Sequence, residues 1–137
     1  MNATQFFLSA VLLLSSVSAH CQRASSGEGC FDQGGQADAR ECLQRQRQQS
    51  DAALRQAEGS LAASLQRWQE RPTPRRRALE ALEASAREHQ RYRQAQCSLQ
   101  AALAAGGTGT THRRLLCEIA LNEERIAHLQ TTITQMQ

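Results

Sequence analysis

The apolar residues of this chain recur at steps of three, four or seven in three long stretches, the spacing of one face of an α-helix. The first helix is predicted from about Asp38 to Glu70, the second from Thr73 to about Ala105, and the third from Thr111 to near the C-terminus. No stretch alternates with the period of two that marks a half-buried strand. Because the connections are short, the pattern predicts an all-α, antiparallel bundle of three long helices.

Each predicted helix has one face that should be buried in the bundle. In the first helix this face consists of Cys42, Leu43, Leu54, Ala57, Leu61, Leu65 and Trp68. In the second it consists of Leu82, Ser85, His89, Tyr92, Gln96, Leu99 and Leu103. In the third it consists of Leu115, Ile119, Asn122, Ile126, Leu129, Ile133 and Met136. The polar run QRQRQQ at 44–49 interrupts the first face, which predicts a solvated turn there.

The predicted helix ends carry residues that are typical of caps. Asp38 and Glu41 have the spacing of a capping box. Thr73 followed by Pro74 suits an N-cap and a first helical position. Gly106 is a natural C-cap for the second helix.

The N-terminus has the features of an export signal. Its apolar core is followed by small residues, and VSA at 17–19 suits cleavage after Ala19. The core is shorter than the ~20 residues that span a membrane as a helix. We therefore predict a signal peptide at 1–19, a flexible segment at 20–36 and a helical domain at 37–137, in a protein of the bacterial periplasm or exterior.

Two other fates of the N-terminus remain open at this stage. One is an uncleaved anchor. The other is lipidation of Cys21, although His20 and Ser18 depart from the usual lipoprotein signal. From the sequence we expect membrane contact of the mature chain only if Cys21 is lipidated, because acyl chains would provide an anchor.

All sixteen basic residues are arginine, and the formal net charge is +3. This charge is mild for the length and predicts no nucleic-acid partner. The only tight basic cluster is RRR at 75–77. Arginine-rich chains can contact phosphates, but a GC-rich genome gives the same composition.

The five cysteines of an exported chain indicate disulfides, because the destination is oxidising. Two bridges among five cysteines leave fifteen arrangements (5 × 3). The second and third helices form a hairpin in which Cys97 and Cys117 stand at similar heights, so a bridge there is predicted. Cys30 and Cys42 are the other natural pair, and Cys21 is left over.

Metal and catalytic chemistry receive little support from the sequence. His89, Cys97, His112, Cys117 and His128 lie in one half of the chain but lack the tight spacing of a zinc site. No phosphate loop, nucleophile elbow or zinc-protease motif occurs. We predict no enzyme activity, no metal and no cofactor.

The ordered motifs of the chain resemble those of the lysozyme-inhibitor LprI N-terminal domain family. DAALR at 51–55 is similar to the D-x-x-L-N motif, with Arg55 where Asn is usual. AREHQRYRQAQC at 86–97 keeps the later part of Q-R-x-W-x-x-Y-R-x-A-x-C, with His89 in place of Trp. GGT at 106–108 matches a Gly-Gly-Ser/Thr loop. The last motif, C-x3-L-T-x2-R-x3-L, is matched at 117–129, with Asn122 in place of Thr.

The resemblance implies a small exported helical protein in which an early cysteine pair corresponds to Cys30 and Cys42. It also implies a protein partner, lysozyme in the cell envelope. The motif residues expected to serve packing are Asp51, Leu54, Leu121, Arg125 and Leu129.

Two candidate contact sites for a partner follow from the sequence. One is the hairpin tip, with Gly107, Thr108 and Gly109, and the other is Tyr92 with Arg93. The alternative for the second site is internal: Tyr92 would pack on the first helix, and Arg93 would pair with a third-helix carboxylate such as Glu118 or Glu123. A different function also remains, that of a structural or envelope-surface protein whose arginines contact lipopolysaccharide or other polyanions.

Overall fold

The computed structural model describes residues 27–32 and 34–136. A 3-10 turn at Glu28–Phe31 precedes three helices, α1 (Gln36–Arg67), α2 (Pro72–Ala102) and α3 (Thr108–Gln135), and this part of the chain contains no strand. The interface of α1 with α3 is the most extensive, and α2 packs mainly on α3. The predicted all-α bundle of three long helices with two disulfides is confirmed.

The start of α1 lies two residues earlier than predicted, at Gln36. Gly35 is the N-cap, and its backbone N–H donates to Oδ2 of Asp38 at 3.1 Å. The predicted capping box between Asp38 and Glu41 is therefore wrong. Asp38 acts from inside the first turn, where its charge also suits the positive end of the helix dipole.

The connections between the helices also differ from the prediction. Arg71 is the N-cap of α2 and Pro72 its first residue, so the predicted start at Thr73 and Pro74 is wrong. Proline suits this position because the missing N–H has no partner in the first turn. At its other end α2 stops at Ala102, before the predicted Ala105.

The turn between α2 and α3 contains three successive residues with positive φ, namely Ala105, Gly106 and Gly107. Glycine adopts this backbone conformation without steric cost, which allows the chain to reverse sharply. Leu103 is the C-cap of α2 rather than Gly106. Because Gly107 is the N-cap of α3, Thr108 already belongs to that helix.

Two apolar clusters form the core of the part of the chain that the structure describes. The larger one is built on Leu54, Ala57, Leu61, Leu65 and Leu129. The smaller one is built on Cys30, Leu43, Leu115 and Ile119. The predicted faces of α1 and α3 supply most of these side chains, so those two predictions are confirmed.

The predicted face of α2 is wrong in its second half. Tyr92, Leu99 and Leu103 are 55%, 53% and 61% exposed, whereas Cys97 and Ala101 are buried. The buried side of α2 is therefore displaced by one residue, about 100° around the helix axis. Helical periodicity identifies an apolar face, but the packing of neighbouring helices decides whether that face is covered.

Part of the segment predicted to be flexible is packed on the core. Gly27 and Cys30 are both buried. A Cβ at Gly27 would lie only 2.9 Å from Cδ2 of Leu116 and 3.0 Å from Cδ2 of Leu43, so a larger residue would displace these leucine side chains. The predicted signal peptide, Cys21 and the rest of the segment before residue 27 lie outside the described residues. No helix among the described residues has the length and apolarity to cross a membrane.

Candidate partner-binding surface

Two disulfides fasten one end of the bundle. Cys97 and Cys117 join α2 to α3 with their Cα atoms 5.4 Å apart. Cys30 and Cys42 join the N-terminal turn to α1 with their Cα atoms 5.6 Å apart. Both distances lie in the usual range for a disulfide. The bridge between Cys97 and Cys117 holds α2 to α3 near the turn that connects them.

A polar cluster lies between the two apolar clusters and joins all three helices. Arg93 of α2 donates from Nη1 to Oδ1 of Asp51 at 2.7 Å and to Oδ1 of Asn122 at 2.5 Å. Asn122 is fully buried, and its Nδ2 donates to Oγ of Ser50 and to Oδ1 of Asp51, each at 2.9 Å. The Ser50 hydroxyl in turn donates to the carbonyl of Arg47.

Ion pairs extend this cluster along α1 and α3. Nε of Arg47 lies 3.0 Å from Oδ2 of Asp51 and 3.2 Å from Oε2 of Glu118. The polar residues at 44–49 were predicted to be solvated, but the Arg47 side chain points toward the bundle and contacts Asp51 and Glu118. Burial alone raises the pKa of Asp51, but hydrogen bonds from Asn122 and Arg93 and the charges of Arg47 and Arg93 outweigh it, so the pKa lies below its usual value.

A second set of polar contacts lies toward the opposite end. Arg125 of α3 donates from Nε to Glu58 of α1 at 2.9 Å and from Nη1 to the Ser85 hydroxyl of α2 at 3.0 Å. Nε2 of His89 lies 3.2 Å from the carbonyl of Leu121. Burial is the main cause that lowers the pKa of His89, and the hydrogen bond to the Leu121 carbonyl opposes it. The charges of Arg125 and Arg93 lower the pKa further, while Glu58 raises it, so the pKa lies below its usual value.

The two adjacent contact candidates on α2 face in different directions. The Arg93 side chain is only 16% exposed and is bonded within the polar cluster. Tyr92 is 55% exposed, so it is not buried against the first helix. Arg93 does contact other helices, as the alternative to a partner contact predicted. Its bonds, however, are to Asp51 and Asn122. Glu118 contacts Arg47 instead.

Tyr92 stands at the rim of an open groove between α2 and α3. The groove has a volume of about 640 Å³, and Leu61 and Leu65 of α1 contribute to its lining. His89, Arg125 and His128 are polar members of the same lining. Beyond Tyr92, the exposed side of α2 continues through Leu99 and Leu103 to the turn before α3. We call Tyr92, Leu99 and Leu103 the exposed α2 stripe.

The motif residues occupy internal positions. Leu54 and Leu129 are buried in the larger apolar cluster. Asp51 and Arg125 belong to the two sets of polar contacts, and Leu121 contributes its carbonyl to His89. The sequence reasoning did not find Ser50 or Glu58 as polar partners. Asn122 was a signal for such partners in the sequence, because it is an amide on an otherwise apolar helix face and a buried amide requires hydrogen-bond partners.

At the hairpin tip, the three contact candidates occupy the start of α3. Gly107 is its N-cap, and Thr108 and Gly109 form part of its first turn, all of them exposed.

Among the described residues no three metal-ligating side chains lie together. Cys97 and Cys117 are bonded to each other, which removes two of the five ligands considered in the sequence.

The fold and its surface define a class of protein: a small, disulfide-stabilised helical bundle with an exposed apolar stripe and two internal sets of polar contacts. Comparison with family models gives the particular family. The chain belongs to the family described as Lysozyme inhibitor LprI, whose model matches residues 28–129. The disulfides and this family indicate an exported protein, and the family is one of inhibitors rather than enzymes. Searches of curated proteins and of solved structures gave no match.

Proposed function

We propose that this protein is a cell-envelope binding module that inhibits lysozyme. Membership of the lysozyme-inhibitor family supports a protein partner of this kind. A shared fold does not transfer an activity by itself, so the proposal also rests on a surface suited to a protein. The observation that carries it is the exposed α2 stripe, which leaves one tyrosine and two leucines uncovered on a single helix side.

The exposed α2 stripe has the features of a rigid contact surface. Tyrosine is favoured at interface hot spots, and exposed leucines beside it add apolar area. The Cys97–Cys117 bridge lies between Tyr92 and the turn, and it fixes this part of α2 to α3. A surface that is already ordered loses less conformational entropy when a partner binds. The neighbouring hairpin tip would extend the contact.

The charges of the two proteins predict how their binding should depend on salt concentration. Lysozymes are commonly basic, and this chain also carries a formal net charge of +3. Long-range attraction therefore does not steer the two proteins together. Binding through the apolar stripe should depend weakly on salt, whereas a contact of the arginines with polyanions would weaken steeply as salt rises.

The proposal is tested by lysozyme assays with the oxidised, folded protein. Leu99→Ser/Leu103→Ser and Tyr92→Ala should each weaken inhibition at least tenfold, the effect expected of hot-spot residues that contribute roughly 1.4 kcal/mol or more. Gln94→Ala is the matched control, because Gln94 is exposed on α2 outside the stripe. Circular dichroism would verify that each variant retains its helices.

The hairpin tip needs a gentler change than deletion. Removing Gly107, Thr108 and Gly109 would take away the N-cap and first turn of α3, so lost inhibition would not be specific to the contact. Thr108→Ala keeps the helix and tests the tip directly. Absence of inhibition by micromolar wild-type protein would refute the proposal, and equal inhibition by all variants would exclude the stripe and Thr108 as its site.

A further inference from the structure

The end of the bundle opposite the hairpin tip carries a concentration of arginine. Five arginines stand within eleven residues around the turn between α1 and α2: Arg67, Arg71, Arg75, Arg76 and Arg77. Arg67 is the last residue of α1, Arg71 is the N-cap of α2, and Arg77 lies five residues beyond Pro72. At 1.5 Å per residue, these backbone positions fall within about 8 Å of the bundle's end along the helix axes. We call these five residues the basic end.

The stretch 67–77 that holds the basic end contains one carboxylate, Glu70, so its formal charge is +4, from five arginines less one glutamate. Arg76 contacts Glu80 at 3.6 Å, with both side chains largely exposed. Such a surface pair is weak and leaves Arg76 able to change partners. For the other four arginines, the described part of the chain provides no ion pair within 4.0 Å. The described ion pairs lie instead along the helices, such as those of Arg47 and Arg125.

An aromatic and apolar surface adjoins the basic end. Trp68, which directly follows α1, is half-buried against the larger apolar cluster. It lines a cavity of about 410 Å³ together with Arg67, Ile133 and Met136. Tryptophan beside basic residues is the combination found where proteins meet the headgroup region of a bilayer, because the ring is amphipathic and the headgroups carry phosphate.

We propose that the basic end docks on an anionic lipid bilayer. The partner chemistry follows from charge complementarity: guanidinium groups form hydrogen-bonded pairs with phosphate, and Trp68 suits the interfacial layer. Each basic residue near an anionic membrane surface strengthens binding about fivefold. Four arginines without a described carboxylate partner, less the one negative charge of Glu70, therefore favour an anionic over a neutral bilayer by a factor on the order of a hundred.

The geometry separates this surface from the proposed lysozyme contact. α2 has 31 residues and is about 46 Å long, with the basic end at its start and the exposed α2 stripe in its second half. The two contacts can therefore operate together, because the basic end would meet the membrane while the stripe lies further along α2. Membrane docking goes beyond the proposed inhibition and does not depend on it.

Vesicle co-sedimentation tests the proposal with the full mature chain. The vesicles would contain phosphatidylcholine with or without phosphatidylglycerol, at increasing ionic strength. The test variant is Arg67→Gln/Arg71→Gln/Arg77→Gln. The control is Arg40→Gln/Arg113→Gln/Arg114→Gln, which removes the same charge from exposed positions toward the other end of the bundle. Trp68 is the only tryptophan, so a blue shift of its emission reports directly on burial of the basic end.

The expected result is salt-sensitive binding to the anionic vesicles only, with a blue shift of Trp68. Binding should fall by roughly a hundredfold in the test variant, since three arginines at about fivefold each are removed, and much less in the control. No binding by wild type, or equal losses in the two variants, would overturn the proposal. Binding of soluble polyphosphate without vesicle binding would also overturn it, in favour of a soluble polyanion. Lysozyme inhibition by the test variant should remain as in wild type, which keeps the two proposals distinguishable.

Discussion

Arg93 of α2 and Asp51 of α1 are joined by a hydrogen bond of 2.7 Å, Nη1 to Oδ1, across 42 residues of sequence. Arg93 also bonds to Asn122 of α3, so one guanidinium links all three helices. α2 contributes only Cys97 and Ala101 to the buried residues. The polar cluster therefore fixes the rotation and position of a helix whose apolar contacts are few.

Replacing Arg93 with alanine should destabilise the fold. The change leaves Asp51, whose side chain is only 17% exposed, without its main cationic partner and removes a bond to the buried Asn122. Loss of one member of a largely buried pair costs about 2–4 kcal/mol in the free energy of unfolding. Urea unfolding under oxidising conditions measures this effect. Arg91→Ala is the control, because Arg91 pairs with Glu88 on the exposed surface and should matter little.

Stability should fall as the pH drops below neutrality, and His89 should account for part of the fall. Its folded pKa lies below the value of 6.5 for an unfolded histidine, so the unfolded state binds the proton first. The stability due to neutral His89 is fully present above 6.5 and is lost as the pH falls from there through the folded pKa. His89→Gln should flatten the dependence of the melting temperature on pH as the pH falls below 6.5.

The control for this experiment is His128→Gln, which changes an exposed histidine in the lining of the same groove. A change of slope in His89→Gln that is absent from His128→Gln would assign the effect to His89. If His89→Gln and wild type lose stability in parallel, His89 does not contribute to the acid sensitivity.

Removal of the bridge between α2 and α3 should lower stability without removing the helices. Cys97 and Cys117 are separated by 20 residues, and closing a loop of this length stabilises a fold by about 3 kcal/mol in the chain-entropy estimate. The double variant Cys97→Ala/Cys117→Ala leaves neither half of this bridge as a free thiol and should unfold at lower urea with similar circular dichroism. Ser98→Ala is a nearby exposed control. Unchanged stability of the double variant would show that the bridge is dispensable for folding.

The mature N-terminus is predicted to begin at His20, with Cys21 unmodified. His20 and Ser18 do not fit the lipoprotein signal, whereas VSA at 17–19 suits signal peptidase. Intact mass of protein extracted from the envelope measures the outcome. A mass increase corresponding to diacylglycerol on Cys21 would contradict the prediction and would supply a membrane anchor independent of the basic end.

The helical pattern was readable from the sequence because periodicity is a local property. The apolar faces of α1 and α3, such as Leu54 to Leu65 and Leu115 to Leu129, repeat with the turn of the helix and needed no knowledge of neighbours. The positions of Cys97 and Cys117 also allowed the bridge between α2 and α3 to be predicted, because two helices joined by a short turn must be antiparallel. The helix ends were less accurate because several polar residues near each end are plausible caps.

The packing of α2 was decided only in three dimensions. Its apolar residues mark a face through Tyr92, Leu99 and Leu103, but the bundle covers the adjacent side, with Arg93, Cys97 and Ala101. A three-helix bundle covers each helix only where it meets the other two. The disulfide and the polar cluster determine that side by joining specific atoms across 20 to 72 residues of sequence. The sequence by itself determined which segments are helical and that the chain suits an oxidising compartment, whereas tertiary contacts determined which side chains remain available to a partner.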